Sequence, residues 1–307
     1  MQIPGADVRE ARAVLIAGPT GSGKSALALA LAEAAAALGR EPVIVNADSI
    51  QVYDGLRILT ARPGPGDLAR APHALYGHVS PAKRYSVGRW LADAAPAVGG
   101  AAGNRLPILA GGAGLYFDAA LSGLAAVPDI ADGVRGAVAA RMEAEGPVRL
   151  HACLAARDPA AAASIRPTDR QRIVRALEVL QGTGRSITAW QREAAAPLID
   201  PSSVVRLVLS PPREVLYARI ERRLDAMLDA GVLEEVAALT ALRLDPGLPA
   251  MKAIGVKEFS GVLANEVPLE EALAQAKTRT RRYAKRQLTW FRNRMADWTW
   301  LDPPSGL

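Results

Sequence analysis

Residues 18–25 constrain the fold of this chain more than any other segment. They read Gly-Pro-Thr-Gly-Ser-Gly-Lys-Ser and satisfy the pattern G-x-x-x-x-G-K-[ST], in which a glycine-rich loop between a strand and a helix binds phosphate. An apolar run at 13–17 precedes them, and a stretch rich in alanine and leucine follows. These flanks predict the strand and the helix that such a phosphate-binding loop (P-loop) requires.

Further short apolar runs at 43–46, 106–110 and 204–209 predict buried strands. Helical or loop connections separate them, so parallel pairing with helical crossovers is expected. Residues 298–302 predict a last edge strand. The predicted fold class is therefore α/β, with a P-loop NTPase-like parallel sheet flanked by helices.

Residues 118–201 contain no apolar strand, and their segments have the composition and spacing of consecutive helices. We interpret them as an inserted all-helical domain. The P-loop core then consists of residues 1–117 and residues 202–307, and the second part ends in a basic helix. Helical spacing within the second part places Arg219, Arg222 and Arg223 on one face, and we expect one of them to close on a bound diphosphate.

The composition indicates a compartment and a class of partner. A formal charge of +6 and an isoelectric point near 9.7 fit a polyanionic partner. Cys153 is the single cysteine, which excludes an internal disulfide, and His73, His78 and His151 lack metal-ligand spacing. The first residues lack the apolar core of a secretory signal, and no segment has the length of a membrane span, so we expect a cytoplasmic protein.

Residues 46–63 follow the second predicted strand and contain Asp48. The carboxyl ends of parallel strands face the ligand crevice, so Asp48 is expected beside the P-loop. There it could act as a general base or as an outer partner of Mg²⁺, and it could equally be an aspartate that caps a helix or a turn. Residues 111–117, Gly-Gly-Ala-Gly-Leu-Tyr-Phe, indicate either close backbone approach to a ligand or a plain tight turn.

Residues 277–294 hold eight basic residues and no acidic one. At helical spacing, Ala284, Leu288, Phe291 and Met295 form an apolar face, and the basic residues point elsewhere. A solvated face normally mixes charges of both signs, so this helix is predicted to bind a phosphate backbone.

Six segments together resemble the tRNA dimethylallyltransferases, in the same order and over nearly the entire chain. They are GPTGSGKS, DSIQVYDGLRILTARP, GGAGLYF, RALEVLQGTG, KAIGVKE and TRRYAKRQLTWFR. The resemblance implies transfer of a dimethylallyl group from dimethylallyl diphosphate to N6 of the adenosine 3′-adjacent to the anticodon, with release of diphosphate. The partner is then the anticodon stem-loop of tRNA, and we expect a monomer that does not bind membranes.

The resemblance also implies roles for individual residues. Asp48 corresponds to the base that takes the N6 proton, Thr20 touches the bridging oxygen of the leaving group, and Arg223 stabilises diphosphate. The P-loop motif itself assigns Ser25 to Mg²⁺, the expected cofactor. The expected diphosphate-binding residues are Gly18, Pro19, Thr20, Gly21, Ser22, Gly23, Lys24 and Ser25. The expected tRNA-binding residues are Asp48, Ser49, Ile50, Gln51, Ala113, Arg135, Gln171, Arg172, Ile173, Val174, Arg175, Lys252, Ala253, Ile254, Gly255, Val256, Lys257, Lys285, Arg286, Gln287, Leu288, Thr289, Trp290, Phe291 and Arg292.

Three positions depart from the family's pattern. Ala113 replaces the threonine of a GGT motif, Val256 replaces the tyrosine of an IGY turn, and Arg62 replaces the lysine of a TAKP motif. The first departure removes a hydroxyl that usually lies beside the tRNA. The cysteine and histidine zinc finger of eukaryotic members is also missing, which indicates the bacterial type.

Two other functions fit parts of the sequence. An ATP-dependent kinase of a small molecule would use the P-loop but leaves the basic helix and the insertion unexplained. A non-catalytic RNA-binding protein that senses a nucleotide would leave Asp48 and Arg223 without a role. Incubation with tRNA and either ATP or dimethylallyl diphosphate separates the three.

Overall fold

The computed structural model describes residues 10–99, 103–193 and 195–302. Its sheet has six strands in the order β3-β2-β4-β1-β5-β6, and every neighbouring pair is parallel. The strands are β1 Ala13–Ala17, β2 Glu41–Asn46, β3 His73–Ala74, β4 Arg105–Gly111, β5 Val204–Leu209 and β6 Thr299–Leu301. The comparison of these strands with the predicted ones confirms the α/β class and the parallel sheet.

Helices separate the strands along the chain. They are α1 Lys24–Ala37, α2 Pro65–Arg70, α3 Val87–Val98, α4 Gly114–Ser122, α5 Asp132–Arg157, α6 Pro159–Ala163, α7 Arg170–Thr183, α8 Ile187–Arg192, α9 Arg213–Asp229, α10 Val232–Ala241, α11 Val256–Leu263 and α12 Leu269–Arg294. Short 3₁₀ turns lie at Pro201–Ser203 and Ala250–Lys252.

The central strand β1 is buried on both faces, as expected for a strand inside a parallel sheet. Val14 and Ile16 pack on one face in a cluster with α1, and Leu15 packs on the other in a cluster with Trp90 and Phe117. The alternation follows from the twofold periodicity of a strand. Because β1, β4 and β2 are parallel and adjacent in the sheet, their carboxyl ends lie next to one another.

The chain divides into two compact units, one of residues 1–121 and 198–307 and the other of residues 122–197. The predicted insertion, 118–201, starts and ends a few residues outside the second unit. The difference arises at α4, which begins directly after the sheet and buries Phe117 and Ala120 in the same cluster as Leu15. Ile199 joins that cluster on the return of the chain.

The second unit is all helical, from α5 to α8, and has a core of its own. Leu150 and Leu154 of α5 pack against Ile173 and Leu177 of α7. The long helix α5 is broken at Gly146, which precedes a proline. The φ of Gly146 is 77°, in the left-handed region.

The edge strand β3 was not predicted from the sequence. It has two residues, pairs with β2, and contains no apolar run. Among the described residues, no helix is both long and apolar enough to cross a bilayer.

Candidate active site

The P-loop lies between β1 and α1, as its sequence predicts. Gly21 and Gly23 have φ values of 84° and 92°, a region that glycine enters without steric cost. The ammonium of Lys24 donates to the carbonyl of Pro19 at 3.3 Å, so it curls back over the loop. Gly23 precedes the first turn of α1, which adds the positive end of a helix dipole to the cradle.

Two arginines of α9 reach this loop. Arg223 donates to the hydroxyl of Thr20 at 2.5 Å, and Arg219 donates to the carbonyl of Ser22 at 3.4 Å. The third candidate, Arg222, is exposed. We call residues 18–25 together with Arg219 and Arg223 the anion pocket.

The anion pocket holds buried donors that lack acceptors. The Nε of Arg223 and one Nη of Arg219 are buried without a hydrogen-bond partner in the described part of the chain. Buried polar groups are rarely left unpaired, and those that are call for a physical explanation. An anion in the pocket would supply the missing acceptors.

Burial of the pocket cations removes them from water, which is unfavourable, and a bound anion would offset this desolvation. Burial lowers the pKa of Lys24 to about 8, the charge of Asp48 acts in the opposite direction, and the charge of Arg223 adds to the lowering. Burial also lowers the pKa of Arg223, again opposed by Asp48. Partly desolvated cations interact more strongly with an anion than cations in water do.

One of the alternatives for Asp48, the capping of a turn, is present in the structure. One carboxylate oxygen, Oδ1, accepts the backbone N–H of Ile50 at 2.9 Å and caps a turn. The other, Oδ2, lies 3.4 Å from the position that a Cβ on Gly112 would take. The backbone N–H of Asp48 donates to Asn46 at 2.9 Å, which fixes the start of the turn. The carboxylate is therefore held by one oxygen and presents the other toward the end of β4.

Three tyrosines surround Asp48, and the sequence analysis assigned no role to them. Burial raises the pKa values of Tyr76, Tyr116 and Tyr283, and the negative charge of Asp48 raises each of them further. The phenols therefore stay protonated around the carboxylate. Tyr116 stacks on Trp90 with ring centroids 4.5 Å apart. Three protonated phenols therefore lie near the carboxylate, which also interacts with the charges of Lys24 and Arg223.

Glu235 of α10 holds the loop that follows Asp48 by hydrogen bonds to its backbone. Its carboxylate accepts the backbone N–H groups of Arg57, Ile58 and Leu59 at 2.7, 2.7 and 2.8 Å. The side chain of Gln51 donates to the carbonyl of Thr60 at 2.8 Å. Three charge-assisted hydrogen bonds to one carboxylate make this loop a fixed frame for residues 48–51.

Helix α12 is less uniformly basic than its sequence suggests. Lys277, Arg279, Arg281 and Arg294 form ion pairs with Asp225, Glu258, Glu221 and Asp118. The other four basic residues are exposed and have no ion pair within the described part of the chain. We call these four, Arg282, Lys285, Arg286 and Arg292, the basic face.

The opposite side of α12 packs into the protein. Ala284, Gln287 and Phe291 are buried, and Leu288 and Trp290 are half-buried. A cavity of about 200 Å³ lies beside this helix, and Lys285 and Arg292 stand in its wall. The cavity is also lined by Ser210, Pro211, Arg213, Leu216, Tyr217, Leu288 and Thr289.

The remaining predicted tRNA-binding residues belong to other elements. Lys252 and Lys257 are exposed on either side of buried Ala253 and Val256. Four others, Arg135, Gln171, Arg172 and Arg175, belong to the second unit, in which Gln171 and Arg172 are exposed and Ile173 is buried. Val174 and Ala113 are half-buried.

Ser25 is the P-loop residue that could hold a magnesium ion. The hydroxyl of Ser25 is exposed on the first turn of α1 and offers an oxygen ligand. Mg²⁺ commonly takes one or two protein oxygens and completes its shell with substrate phosphates and water. In the described ranges no three His, Cys, Asp or Glu side chains cluster to form a metal site of their own.

Comparison with known proteins gives a consistent picture. The profile described as IPP transferase matches residues 51–294. A tRNA dimethylallyltransferase of Nitrobacter hamburgensis is 55% identical over 299 residues, which cover 97% of this chain and 93% of that protein. One of Rhodopseudomonas palustris (strain BisB18) is 53% identical and covers 99% of this chain and 96% of its own length.

Solved structures agree with the sequence relatives. The full-length tRNA isopentenylpyrophosphate transferase of Bacillus halodurans is 35% identical, with a TM-score of 0.64 over 94% of this chain and 89% of its own. A eukaryotic dimethylallyltransferase acting on tRNA is 27% identical, with a TM-score of 0.74 over 94% of this chain and 73% of its own.

Proposed function

The chain belongs to the IPP transferase family, and on that premise we propose that it transfers a dimethylallyl group to tRNA. The donor is dimethylallyl diphosphate, and the acceptor is N6 of the adenosine 3′-adjacent to the anticodon. The C–O bond of the allylic ester breaks, a C–N bond forms, the N6 proton leaves, and diphosphate is released. The chain is a transferase with tRNA as its substrate.

One observation carries this proposal: buried cations and a carboxylate converge at neighbouring strand ends. The exocyclic amine of adenine is a poor nucleophile, so its alkylation needs a base that takes the proton as attack proceeds. Asp48, held by Oδ1 on the N–H of Ile50, is that base through Oδ2. The leaving group develops negative charge, which Lys24 and Arg223 stabilise without reorganisation.

The leaving-group oxygen is assigned to Thr20 and the diphosphate to the P-loop. Thr20 has its hydroxyl at 2.5 Å from a guanidinium nitrogen of Arg223, so both act on the same end of the substrate. Ser25 would hold Mg²⁺, and the ion would supply positive charge beside the leaving group. The tyrosines around Asp48 keep water from the allylic carbon, for which it would compete with the amine.

The tRNA is assigned to the basic face of α12 and to residues near the site. The basic face of α12 supplies contacts to phosphates, and residues 48–51 and 252–257 supply contacts near the site. Flipping the target adenosine out of its loop costs a few kcal/mol, which the phosphate contacts offset. Ala113 cannot supply the hydroxyl that family members place near the tRNA, so that contact is absent here.

We further propose that the protein acts as a monomer in the cytoplasm. Every group that we assign to the chemistry comes from a single chain, so a partner copy is not needed to complete the site. Light scattering of the purified protein, alone and with tRNA, measures the stoichiometry, and a mass of two chains would contradict the assignment.

The proposed function is tested by product analysis. Purified protein is incubated with unmodified tRNA and Mg²⁺, once with dimethylallyl diphosphate and once with ATP. Nucleoside analysis should show N6-prenylated adenosine and release of diphosphate in the first reaction only. Formation of ADP in the second would support the kinase, and tRNA binding without products in either would support a binding protein.

A further inference from the structure

Gln287 is a buried polar residue on the inner side of α12, with 6% of its surface exposed. Its Oε1 accepts the backbone N–H of Thr20 at 3.0 Å, and its Nε2 donates to the carbonyl of Gly112 at 3.0 Å. One side chain therefore joins the P-loop to the turn that follows β4. Each bond spans a large distance in sequence, so neither is part of ordinary helix or sheet pairing.

These bonds place the amide between the two ends of the proposed reaction. We assign Thr20 to the leaving group. Its backbone N–H donates to Gln287, and its hydroxyl accepts a hydrogen bond from Arg223 at 2.5 Å. On the other side, a Cβ on Gly112 would lie 2.1 Å from Nε2 of Gln287 and 3.4 Å from Oδ2 of Asp48. The amide thus fills the space that separates the leaving-group loop from the turn beside the base.

We propose that Gln287 is a positioning residue that fixes the P-loop relative to the Gly112 turn. This rests on the proposed function, because it assigns Gln287 to the geometry of the same reaction. A loop with glycines at 18, 21 and 23 loses much conformational freedom on binding diphosphate, and an external anchor removes part of that loss beforehand. A displacement of about 1 Å between reacting groups can lower a rate by about a hundredfold.

This assignment differs from the one that the family resemblance implies for Gln287, which is contact with tRNA. Oε1 and Nε2 each make a hydrogen bond inside the protein and the residue is buried, so little of the amide is open to an RNA. The neighbouring Lys285 and Arg286 are exposed and remain assigned to the tRNA. If Gln287 positions the P-loop, its substitution weakens diphosphate binding. If it contacts tRNA, its substitution weakens tRNA binding instead.

The test is Gln287→Met, which keeps the length of the side chain but removes both hydrogen bonds. We expect inorganic diphosphate to bind about three- to tenfold more weakly in calorimetry, because the loop is ordered only on binding. The turnover number should fall about tenfold or more, and the dissociation constant for tRNA should stay within twofold. Arg286→Gln is the matched control on the same helix, and it should weaken tRNA binding and leave diphosphate binding unchanged.

Gly112→Ala tests the same idea without altering the Gln287 side chain chemically. The added methyl group displaces the amide, so this variant should reproduce the losses of Gln287→Met. Because both changes break one arrangement, the double variant should be no worse than either single one. Additive losses in the double variant would show that the residues act separately and would overturn the proposal.

Two further results would contradict the positioning role. If Gln287→Met weakens tRNA binding and leaves diphosphate binding intact, the side chain serves the RNA. If neither ligand nor turnover responds, Gln287 is only a packing residue, and thermal unfolding measured alongside shows whether the variant is folded. Failure of the proposed function itself appears separately, as an absence of prenylated adenosine with the unsubstituted protein, since diphosphate binding is measured without the reaction.

Discussion

The anion pocket and the basic face of α12 are both positively charged, but they hold their charge in different ways. In the pocket, Lys24 and Arg223 are desolvated, and burial lowers the pKa of each. On the basic face, Lys285, Arg286 and Arg292 are exposed to solvent. The first arrangement is costly to maintain, and the second is not.

The difference indicates a division of labour. Desolvated cations act strongly on one anion at a fixed position, so they suit a leaving group whose charge grows during the reaction. Exposed cations are screened within a Debye length and each contributes a small, additive part of binding to a polyanion. Substitutions in the pocket should therefore change turnover, and substitutions on the face should change tRNA affinity and its salt dependence.

The largest effect is expected at Asp48, because it is assigned to proton transfer. Asp48→Asn keeps an oxygen for the N–H of Ile50 but removes the base, and turnover should fall by about two orders of magnitude or more. The dissociation constant for tRNA should change less than about twofold. Single-turnover prenyl transfer and filter binding measure the two quantities, and near-normal turnover would remove Asp48 from catalysis.

A smaller loss is expected at Arg223, which shares the leaving group with other donors. Arg223→Gln should lower turnover by about tenfold or more and weaken binding of inorganic diphosphate. Arg222→Gln is the matched control, since Arg222 precedes it on the same helix and is exposed. Equal losses in steady-state assays of the two variants would mean that burial against the P-loop confers no special role.

The pocket should also respond to pH through Lys24. Its pKa of about 8 means that the ammonium is charged below pH 8 and increasingly neutral above it. An anionic ligand binds the charged form, so affinity for dimethylallyl diphosphate should fall about tenfold between pH 7 and pH 9. Binding is measured without tRNA, and Lys24→Arg, whose guanidinium stays charged, gives the baseline. The same decline in that variant would exclude Lys24 as its cause.

The smallest effects are expected on the basic face. Lys285→Gln should weaken tRNA binding about threefold and lower the slope of log K against log salt by about 0.7 to 0.9, the value of one phosphate contact. Turnover at saturating tRNA should stay within about twofold. The charge-preserving Lys285→Arg serves as control, and an unchanged slope in Lys285→Gln would place this residue outside the interface.

The two regions also differ in how far the sequence predicts them. The P-loop is a local pattern, and its strand, turn and helix follow directly from residues 13–37. The charge of α12 depends on partners distant in sequence, since Asp225, Glu258, Glu221 and Asp118 come from three other helices. Periodicity shows where basic residues point but not which carboxylates meet them. The sequence therefore overestimated the free positive charge of this helix.

Tertiary contacts also explain what the sequence missed within the site. Gln287 stands in a run of basic residues, a pattern that predicts RNA contact. Its hydrogen bonds to Thr20 and Gly112, which show that the side chain points into the protein, are visible only in the structure. Tyr76 carries no motif, and its place beside Asp48 follows from the fold. The role of Asp48 itself, expected from its position after a strand, stays a prediction that turnover measurements must test.

The central claim is that the anion pocket performs the chemistry and the basic face holds the RNA, and salt tests it most directly. Single-turnover prenyl transfer is measured at several salt concentrations with saturating donor and a full range of tRNA concentrations. We expect the tRNA concentration for half-maximal rate to rise steeply with salt, whereas the maximal rate constant should change less than about twofold. A maximal rate constant that falls in parallel with tRNA affinity would contradict it.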